Sequence, residues 1–416
     1  MTSAWIIGVG STTFGRHPTL THRDLAEQAV TATLADAALA NVAAVGSVWF
    51  ASAMADYWGQ ALQRGQATLL PLMRRGVLPS RIPVVNVEAA CASGSAAFQS
   101  AVKDVLCGEV EASLAIGVEK LFDPQDRERI LKWFQLGAAP FDLEDIVSEY
   151  RAAAQSAGLT FAPRPDRSLP MDTYALQAQL HMQRHGTTPA QFALAASKNR
   201  WHASLNPKAH HQSRLTPEQV LSDKQVSGPF TRAMCAPLTD GAAAVLVVSD
   251  DLLAHCSAET RANAIRIRAV TSAGGKYAAP DEPSLTRYAA DLAYERAGVG
   301  AEDIDLAEVH DATAYCEIFQ SEMLGFCAVG EGGRLIESGA SQLGGNRPIN
   351  VSGGLVGKGH PIAATGLSMI GELVGQLRGK AGPRQVDHAR LALHQNGGGI
   401  MGFEEALCVV SILERP

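Results

Sequence analysis

The chain has 416 residues, of which 46% are apolar and 19% are charged, and its formal net charge is −7. A chain of this size folds into two or three packed units with a large core. The acidic balance argues against a nucleic-acid-binding protein, which needs a basic face. The chain has no run of about 18 uninterrupted apolar residues, so no membrane-spanning helix is expected.

The cysteines and the N-terminus bear on the compartment. The seven cysteines are odd in number, scattered along the chain and without a C-x-x-C pair, so neither a disulfide framework nor a structural zinc site is expected. The N-terminal residues lack the basic start and apolar stretch of a secretory signal. We therefore expect a protein of the reducing cytoplasm.

Three pairs of similar segments recur at nearly constant spacing. Residues 4–10 and 265–270 are strand-like, residues 22–50 and 284–309 each predict a helix and then a strand, and residues 86–87 and 350–351 each begin a turn into a small-residue helix. The offsets are 261, 260 and 264 residues. Strands that alternate with helices are typical of α/β folds, so the sequence predicts two similar α/β halves.

One segment of the first half has no counterpart in the second. Prolines interrupt its helix-like stretches, and we interpret it as an inserted loop domain packed over the first half. The predicted organisation is an N-terminal half at residues 1–117, the loop domain at 118–240, a return strand and linker at 241–261, and a C-terminal half at 262–416.

Cys91 lies at a predicted strand-to-helix turn. Residues 82–87 read as a buried strand, and a helix pattern follows the cysteine. The positive end of a helix dipole favours a thiolate at such a position, and the small neighbours Ala90, Ala92 and Gly94 leave room for a substrate carbonyl. The structural alternative is an ordinary buried cysteine in a tight turn.

Two histidines of the second half are further candidates. His360 ends a glycine-rich run at the repeat position of the cysteine turn, and it could take the proton from Cys91. His310 ends a strand and could donate a hydrogen bond to a thioester oxygen. Backbone N–H groups of Gly398 and Gly399, in the last glycine-rich turn, could form an oxyanion hole. Taken singly, each motif is more typical of a surface loop, a structural histidine or a tight turn.

In their order along the chain, these motifs resemble the thiolase superfamily, in particular the sterol-carrier-protein type of thiolase. The resemblance rests on Cys91 within residues 90–94, the His310-Asp311 pair, residues 359–361 and residues 240–244. It implies an α/β thiolase fold, in which two similar halves stack as α-β-α-β-α layers with an inserted loop domain. It also implies a homodimer.

The resemblance further implies the chemistry of the site. Cys91 would carry the acyl group as a thioester, His360 would activate it as a base, and His310 would contribute to one oxyanion hole. A second hole would use the N–H groups of Cys91 and of Gly398 or Gly399. Coenzyme A would be a cosubstrate, with no covalently bound cofactor and no metal ion.

The chain departs from the family pattern at the second catalytic cysteine. Most thiolases carry it in a late C-x-G motif or directly after the His-Asp pair, where this chain has Gln395 (or Asn396) and Ala312. Cys316 lies nearby in sequence, but its spacing does not predict that it faces the site. The acid or base for carbon–carbon bond cleavage is therefore unassigned.

Three functions are compatible with the sequence. The first is an acyl-CoA C-acyltransferase, or thiolase, that acts on a 3-oxoacyl-CoA. The second is a thiolase-like acyltransferase or lyase that needs a small zinc-binding partner subunit. The third is a non-catalytic acyl-CoA-binding protein, which the joint presence of a cysteine and two histidines argues against. Trp133, Phe134 and Phe141 either line the acyl pocket or form the core of the loop domain.

Overall fold

The computed structural model describes residues 3–138, 143–280 and 282–416. Its strands are β1 (Ala4–Ser11), β2 (Val45–Ala51), β3 (Val84–Val87), β4 (Ala112–Glu119), β5 (Gln225–Ser227), β6 (Phe230–Thr231), β7 (Gly241–Ser249), β8 (Ile265–Gly274), β9 (Leu306–Val309), β10 (Leu391–Gly398) and β11 (Leu407–Glu414). Its helices are α1 (His22–Ala37), α2 (Arg64–Arg74), α3 (Ser93–Leu106), α4 (Arg127–Ala138), α5 (Leu143–Ser156), α6 (Leu169–His185), α7 (Pro189–Ser204), α8 (Pro217–Leu221), α9 (Asp250–His255), α10 (Ala258–Asn263), α11 (Leu285–Ala297), α12 (Ala314–Met323), α13 (Gly332–Glu337), α14 (Gly354–Lys358) and α15 (Ile362–Leu377). Within these described ranges, no helix combines the length and apolar character needed to cross a membrane.

Nine strands form one mixed sheet in the order β3-β2-β4-β7-β1-β8-β11-β10-β9. The two halves of this sheet meet where β1 and β8 run antiparallel, with Trp5 opposite Arg266 and Ile6 opposite Ile265. The order β2-β4-β7-β1 in the first half corresponds to β9-β10-β11-β8 in the second. The predicted pair of similar halves is therefore confirmed.

Helices α3 and α15 lie between the two halves of the sheet and share one apolar core with them. The side chains of β7 alternate between layers, as the pleat of a strand requires. Ala243, Val245 and Val247 enter the central core, whereas Ala242 and Ala244 enter the core under α1. On the far side, α11 packs on β8 and β11. The result is the α-β-α-β-α layering of the thiolase fold.

Two glycines let α15 begin directly against α3 and β4. A side chain at Gly94, in α3, or at Gly117, in β4, would collide with the carbonyl oxygen of Ala363 in the first turn of α15. Glycine is therefore required for this close approach of backbone to backbone. Because α15 follows almost directly after His360, the approach brings the His360 turn to the Cys91 turn.

Strand β3, which leads into the Cys91 turn, is the edge strand of the sheet. Among the described strands it pairs with β2, and Val85 is 43% exposed. The prediction of a buried strand at residues 82–87 is therefore wrong. Apolar composition predicts that a strand forms, but it does not tell whether the strand lies at the centre or the edge of a sheet.

The segment between β4 and β7 carries α4 to α8 and the β5-β6 hairpin. Helix α7 packs against α12, α13 and α14 of the second half, and Lys198 of α7 pairs with Glu317 of α12 at 2.7 Å. Tyr150 of α5 stacks on Phe403 and donates a hydrogen bond to the carbonyl of Gly402 at 3.0 Å. The segment thus contacts the second half extensively, in addition to the first half over which it was expected to pack.

Candidate active site

Cys91 lies in a single 3₁₀ turn, Ala90–Ala92, between β3 and α3. Ala90 has a φ of 46°, a left-handed conformation that costs a residue with a side chain about 1–3 kcal/mol. Glu88 accepts a hydrogen bond from the N–H of Ala90 at 2.6 Å, and the Ser93 hydroxyl donates one to the Ala90 carbonyl at 2.6 Å. These bonds hold the strained turn, in which Cys91 as a whole residue is partly exposed.

His360 faces Cys91 from the second half of the chain. Its Nε2 lies 3.2 Å from the Cys91 Sγ, although 269 residues separate the two positions. The Thr365 hydroxyl lies 2.7 Å from the His360 Nδ1 and 3.0 Å from the carbonyl oxygen of Pro361. Because the hydroxyl donates its one proton to that carbonyl, it accepts from the imidazole, which fixes the imidazole proton on Nδ1. The lone pair of Nε2 is therefore directed at the Cys91 thiol.

His310 follows β9 and lies beside His360, with 5.3 Å between the ring centres. Its backbone N–H donates to the Gln395 side chain at 3.0 Å, while its Nε2 is buried without a hydrogen-bond partner. The neighbouring Asp311 accepts a hydrogen bond from the N–H of Leu355 in α14 at 2.6 Å. Asp311 thus anchors α14, and the free imidazole nitrogen of His310 is available to a substrate oxygen.

The last glycine-rich turn reaches the Cys91 turn. A side chain at Gly398 would lie 2.8 Å from the backbone nitrogen of Cys91 and would also collide with Ala89 and Ala92, so glycine is required there. Gly399 follows with a φ of 80°. The backbone of this turn therefore lies beside the Cys91 amide, where an oxyanion hole needs its N–H donors.

The three side chains converge on one point. The thiol of Cys91 and the imidazole nitrogens of His310 and His360 lie within 4.8 Å of one another. Across the part of the chain that the structure describes, this is the one group of three cysteine, histidine or acidic side chains that is close enough to hold a metal ion. The direct thiol–imidazole contact is equally the arrangement of a nucleophile and its base.

Two family models match this chain over both halves. The model described as "Thiolase, N-terminal domain" matches residues 4–147, and the model described as "Thiolase C-terminal domain-like" matches residues 280–414. The chain belongs to the thiolase family. It is accordingly an acyltransferase of the thiolase type.

Curated relatives cover nearly the whole chain. "Acetyl-CoA acetyltransferase" of Methanothermobacter thermautotrophicus is 34% identical over 95% of this chain and 96% of its own length. "Sterol carrier protein 2" of Homo sapiens is 32% identical over 97% of this chain and 72% of its own length. "Benzoylsuccinyl-CoA thiolase subunit BbsB" of Thauera aromatica is 30% identical over 95% of this chain and 94% of its own length. These relatives support the sterol-carrier-protein type of thiolase that the motifs indicated.

Solved structures support the same fold. The structure titled "Ltp2-ChsH2(DUF35) aldolase" is similar to this chain with a TM-score of 0.75 at 22% identity, covering 99% of this chain and 97% of its own. An acetyl-CoA acetyltransferase from Syntrophomonas wolfei has a TM-score of 0.68 at 18% identity, covering 100% of both chains. At these identities the likeness concerns the fold.

The surroundings of the thiolase site keep its three groups neutral. Desolvation, and then the charges of Glu119 and Glu88, raise the pKa of the Cys91 thiol to about 12. This result differs from the expectation that a helix N-terminus favours the thiolate, because the loss of water around the sulfur dominates. Desolvation lowers the pKa of His310 to about 4, and desolvation together with His310 lowers the pKa of His360 well below 6.5. Cys91 therefore needs a base, and His360 is free to accept its proton.

The positions of the second thiolase cysteine are filled by groups with other hydrogen bonds. The Gln395 side chain donates to the Thr286 hydroxyl at 3.2 Å while it accepts from the N–H of His310. The Asn396 side chain accepts from the Ser95 hydroxyl at 2.7 Å. Together with the methyl group of Ala312, these side chains supply no titrating group.

Cys316 does not join the cluster around Cys91 among the described residues. Its Sγ lies 3.2 Å from the Thr313 hydroxyl, and its side chain packs with Phe192 and Tyr315 in a core shared by α7 and α12. Burial raises the pKa of the Cys316 thiol to about 12. Cys316 is therefore a poor substitute for the missing acid.

Two aromatic side chains of α4 lie beside Cys91. Trp133 and Phe134 pack, partly buried, in one apolar cluster with Cys91 and with Ile362 at the start of α15. This position favours the interpretation that they border the acyl pocket. Phe141, named with them from the sequence, lies outside the described residues.

Glu119 is a site residue that the sequence reasoning missed. This buried carboxylate ends β4 and accepts hydrogen bonds from the N–H groups of Ala53 at 2.9 Å, Met54 at 3.0 Å and Ala363 at 3.3 Å. Burial nevertheless raises the pKa of Glu119 to about 7. Because Ala363 lies in the first turn of α15, Glu119 ties the segment after His360 to the first half. The signal in the sequence that could have indicated Glu119 was a single acidic residue at the end of an apolar strand.

Proposed function

We propose that this thiolase cleaves a 3-oxoacyl-CoA by transferring an acyl group to Cys91 and then to coenzyme A. The observation that carries the proposal is the 3.2 Å contact between the Cys91 Sγ and the Nε2 of His360. The relatives named for acetyl-CoA and benzoylsuccinyl-CoA support the thioester class of substrate.

In the first step, the Nε2 of His360 takes the thiol proton as the Cys91 sulfur attacks the 3-oxo carbon. The carbonyl oxygen becomes an oxyanion, for which the N–H groups of Cys91 and of Gly398 or Gly399 are the proposed donors. The bond between C2 and C3 then breaks. The electron pair passes to C2 of the departing acyl-CoA, whose enolate oxygen accepts a hydrogen bond from His310.

In the second step, the thiol of coenzyme A loses its proton to His360 as its sulfur attacks the thioester carbon on Cys91. The Cys91–carbon bond breaks, a shortened acyl-CoA leaves, and His360 returns the proton to the Cys91 thiolate. Between the two steps the carbanion at C2 must gain a proton and His360 must lose the one it took from the thiol, and none of Ala312, Gln395 and Asn396 can carry a proton from His360 to C2.

The missing acid favours a second candidate function. The structural neighbour titled "Ltp2-ChsH2(DUF35) aldolase" joins two named components in one assembly. We infer that this chain either acts on a substrate whose carbanion needs little help, or works as a lyase or acyltransferase with a small zinc-binding partner subunit that completes the site. A non-catalytic acyl-CoA-binding protein would need neither the thiol nor the fixed imidazole.

We propose further that the protein is a homodimer of the reducing cytoplasm. The exposed edge strand β3, with Val85 at its surface, offers an apolar edge for a second copy. All seven cysteines are free thiols, which is typical of proteins of a reducing compartment. Light scattering of the purified chain tests the dimer.

The activity is tested with purified protein, acetoacetyl-CoA and a panel of bulky 3-oxoacyl-CoAs. We expect slow thiolysis of acetoacetyl-CoA, because the site lacks a second thiol, and faster turnover of a bulky substrate or after addition of a partner chain. Intact-mass measurement after incubation with each acyl-CoA should show the acyl-enzyme. Fast thiolysis of acetoacetyl-CoA by the isolated chain would contradict the prediction and assign the acid role to His310 or Cys316.

A further inference from the structure

A cavity of about 240 Å³ opens between the end of β1, the middle of α15 and the segment near Lys208. The described residues that line it do not include the three side chains of the active site. Gly371 and Gly375, one turn apart on α15, form part of its wall, and a side chain at Gly375 would meet no atom within 4 Å. The cavity is therefore open at these positions because glycine has no side chain and no neighbouring side chain occupies the space.

The lining of the cavity is rich in cations. It contains Lys208, Lys358, Lys380 and Arg384, against the single carboxylate of Glu372. Arg384 and Glu372 pair with each other at 3.0 Å. Lys208 and Lys380 are exposed at the mouth, so after internal pairing the cavity keeps an excess of positive charge.

Lys358 is the buried member of this set. Its side chain is 5% exposed, and its Nζ has no hydrogen-bond partner. The carboxylate of Glu308 lies 3.7 Å away, which is an ion-pair distance but too long for a hydrogen bond. An ammonium group carries three N–H donors, and a buried donor without an acceptor is costly. Because Lys358 lines the cavity, the acceptor it lacks would lie in the cavity.

We propose that this cavity binds a phosphoryl dianion, with Lys358 at its base and Lys208 and Lys380 at its mouth. The pairs Arg384–Glu372 and Lys358–Glu308 balance internally, which leaves two positive charges for a group that carries about −1.5 to −2 at neutral pH. The hydroxyl of Ser368 also lines the wall, but it donates its proton to the carbonyl of Thr365 at 2.8 Å, so the lysines are the proposed donors.

The site adjoins the segment that carries the base. Lys358 ends α14, and His360 follows after Gly359. Phe14 lines the cavity and also lies against Gly359, where an added Cβ would be 3.4 Å from the Phe14 Cβ. A ligand in the cavity therefore contacts residues on which the His360 turn rests.

The test is a titration of the full chain with inorganic phosphate, followed by calorimetry and by the thermal midpoint, with sodium chloride at matched ionic strength as the reference. Binding should raise the midpoint. Lys380→Gln removes an exposed cation of the mouth, and Gly375→Leu fills the cavity. Each should weaken phosphate binding by about tenfold or more, since a hydrogen bond to a charged group is lost or the space is occupied. Lys103→Gln, an exposed lysine outside the lining, should bind phosphate like the wild type.

A second arm identifies the source of the phosphoryl group and rests on the proposed function. Repeating the titration with saturating coenzyme A should either abolish phosphate binding, which assigns the site to a phosphoryl group of coenzyme A, or leave it intact, which assigns it to a separate phosphate. Equal responses to phosphate and chloride would overturn the proposal, as would equal phosphate affinity in the wild type and both cavity variants. A chain that fails to bind coenzyme A would contradict the proposed function but would leave the phosphate titration valid.

Discussion

The Cys91 turn and the His360 turn occupy equivalent positions in the two halves, yet they are built differently. The first is a three-residue turn between β3 and α3, and Cys91 as a whole residue is partly exposed there. The second contains the extra helix α14 and Gly359, with a φ of 109°, before α15 begins. Its histidine is only 8% exposed.

The difference shows how a duplicated fold can divide one chemical task. The repeat places two turns face to face across α3 and α15, and the proposed nucleophile lies in one turn and the proposed base in the other. The short turn suits a group that must meet substrate. The longer, buried turn holds an imidazole whose proton is fixed by Thr365. Neither turn by itself contains both the thiol and its proposed base.

Of the changes to the two turns, removal of the thiol should have the largest effect on activity. Cys91→Ala should abolish acyl-enzyme formation, because no other thiol joins the cluster among the described residues. Intact mass after incubation with an acyl-CoA measures the effect. Cys316→Ala is the matched control and should still gain the acyl group. If the Cys91→Ala protein gains the acyl mass, Cys91 is not the nucleophile.

The base of the second turn should matter next. His360→Ala should lower the rate by roughly 10²–10⁴-fold, the usual worth of a positioned base. Alkylation of Cys91 by iodoacetamide should shift to higher pH, because without His360 the reaction waits for free thiolate, and desolvation raises the pKa of the thiol to about 12. His255→Ala, which changes an exposed histidine, should leave the profile unchanged. An unshifted profile in His360→Ala would exclude His360 as the base.

His310 tests whether the second histidine is a donor or a base. Full loss of one oxyanion donor costs about 10²–10³-fold in kcat. His310→Asn should lose less than His310→Ala, because an amide can still donate a hydrogen bond. Steady-state kinetics of both variants, with the fold checked by circular dichroism, measure the difference. Complete inactivity of folded His310→Asn would instead indicate proton transfer by His310.

The smallest effect concerns the tautomer of His360. Thr365→Val removes the acceptor for the Nδ1 proton, and the loss of one hydrogen bond of about 1–1.5 kcal/mol corresponds to roughly tenfold in kcat. The alkylation profile of Cys91 should shift in the same direction as in His360→Ala, but less. Thr365→Ser should restore both. A normal profile in Thr365→Val would show that the tautomer is fixed in another way.

Local sequence patterns were enough to predict the duplicated strands and helices of the two halves. The periodicity of apolar residues and the constant offset predicted two halves, and the small residues around Cys91 predicted a turn with access for substrate. The same patterns wrongly predicted β3 as a buried strand. The composition of residues 82–87 is the same wherever the strand lies, and only the assembled sheet decides whether it is at the edge or at the centre. They also failed to indicate Glu119, whose hydrogen-bond partners lie on two other segments, residues 52–54 and the first turn of α15.

The sequence determined that Cys91 occupies a strand-to-helix turn and that a glycine-rich histidine turn recurs at the equivalent position, because both features depend on residues close together in the chain. The tertiary structure decided which atoms meet. The 3.2 Å contact between Cys91 and His360 spans 269 residues, and it depends on Gly94 and Gly117 admitting the first turn of α15. The raised pKa of the Cys91 thiol was likewise a tertiary result, since desolvation depends on every segment that packs around the sulfur.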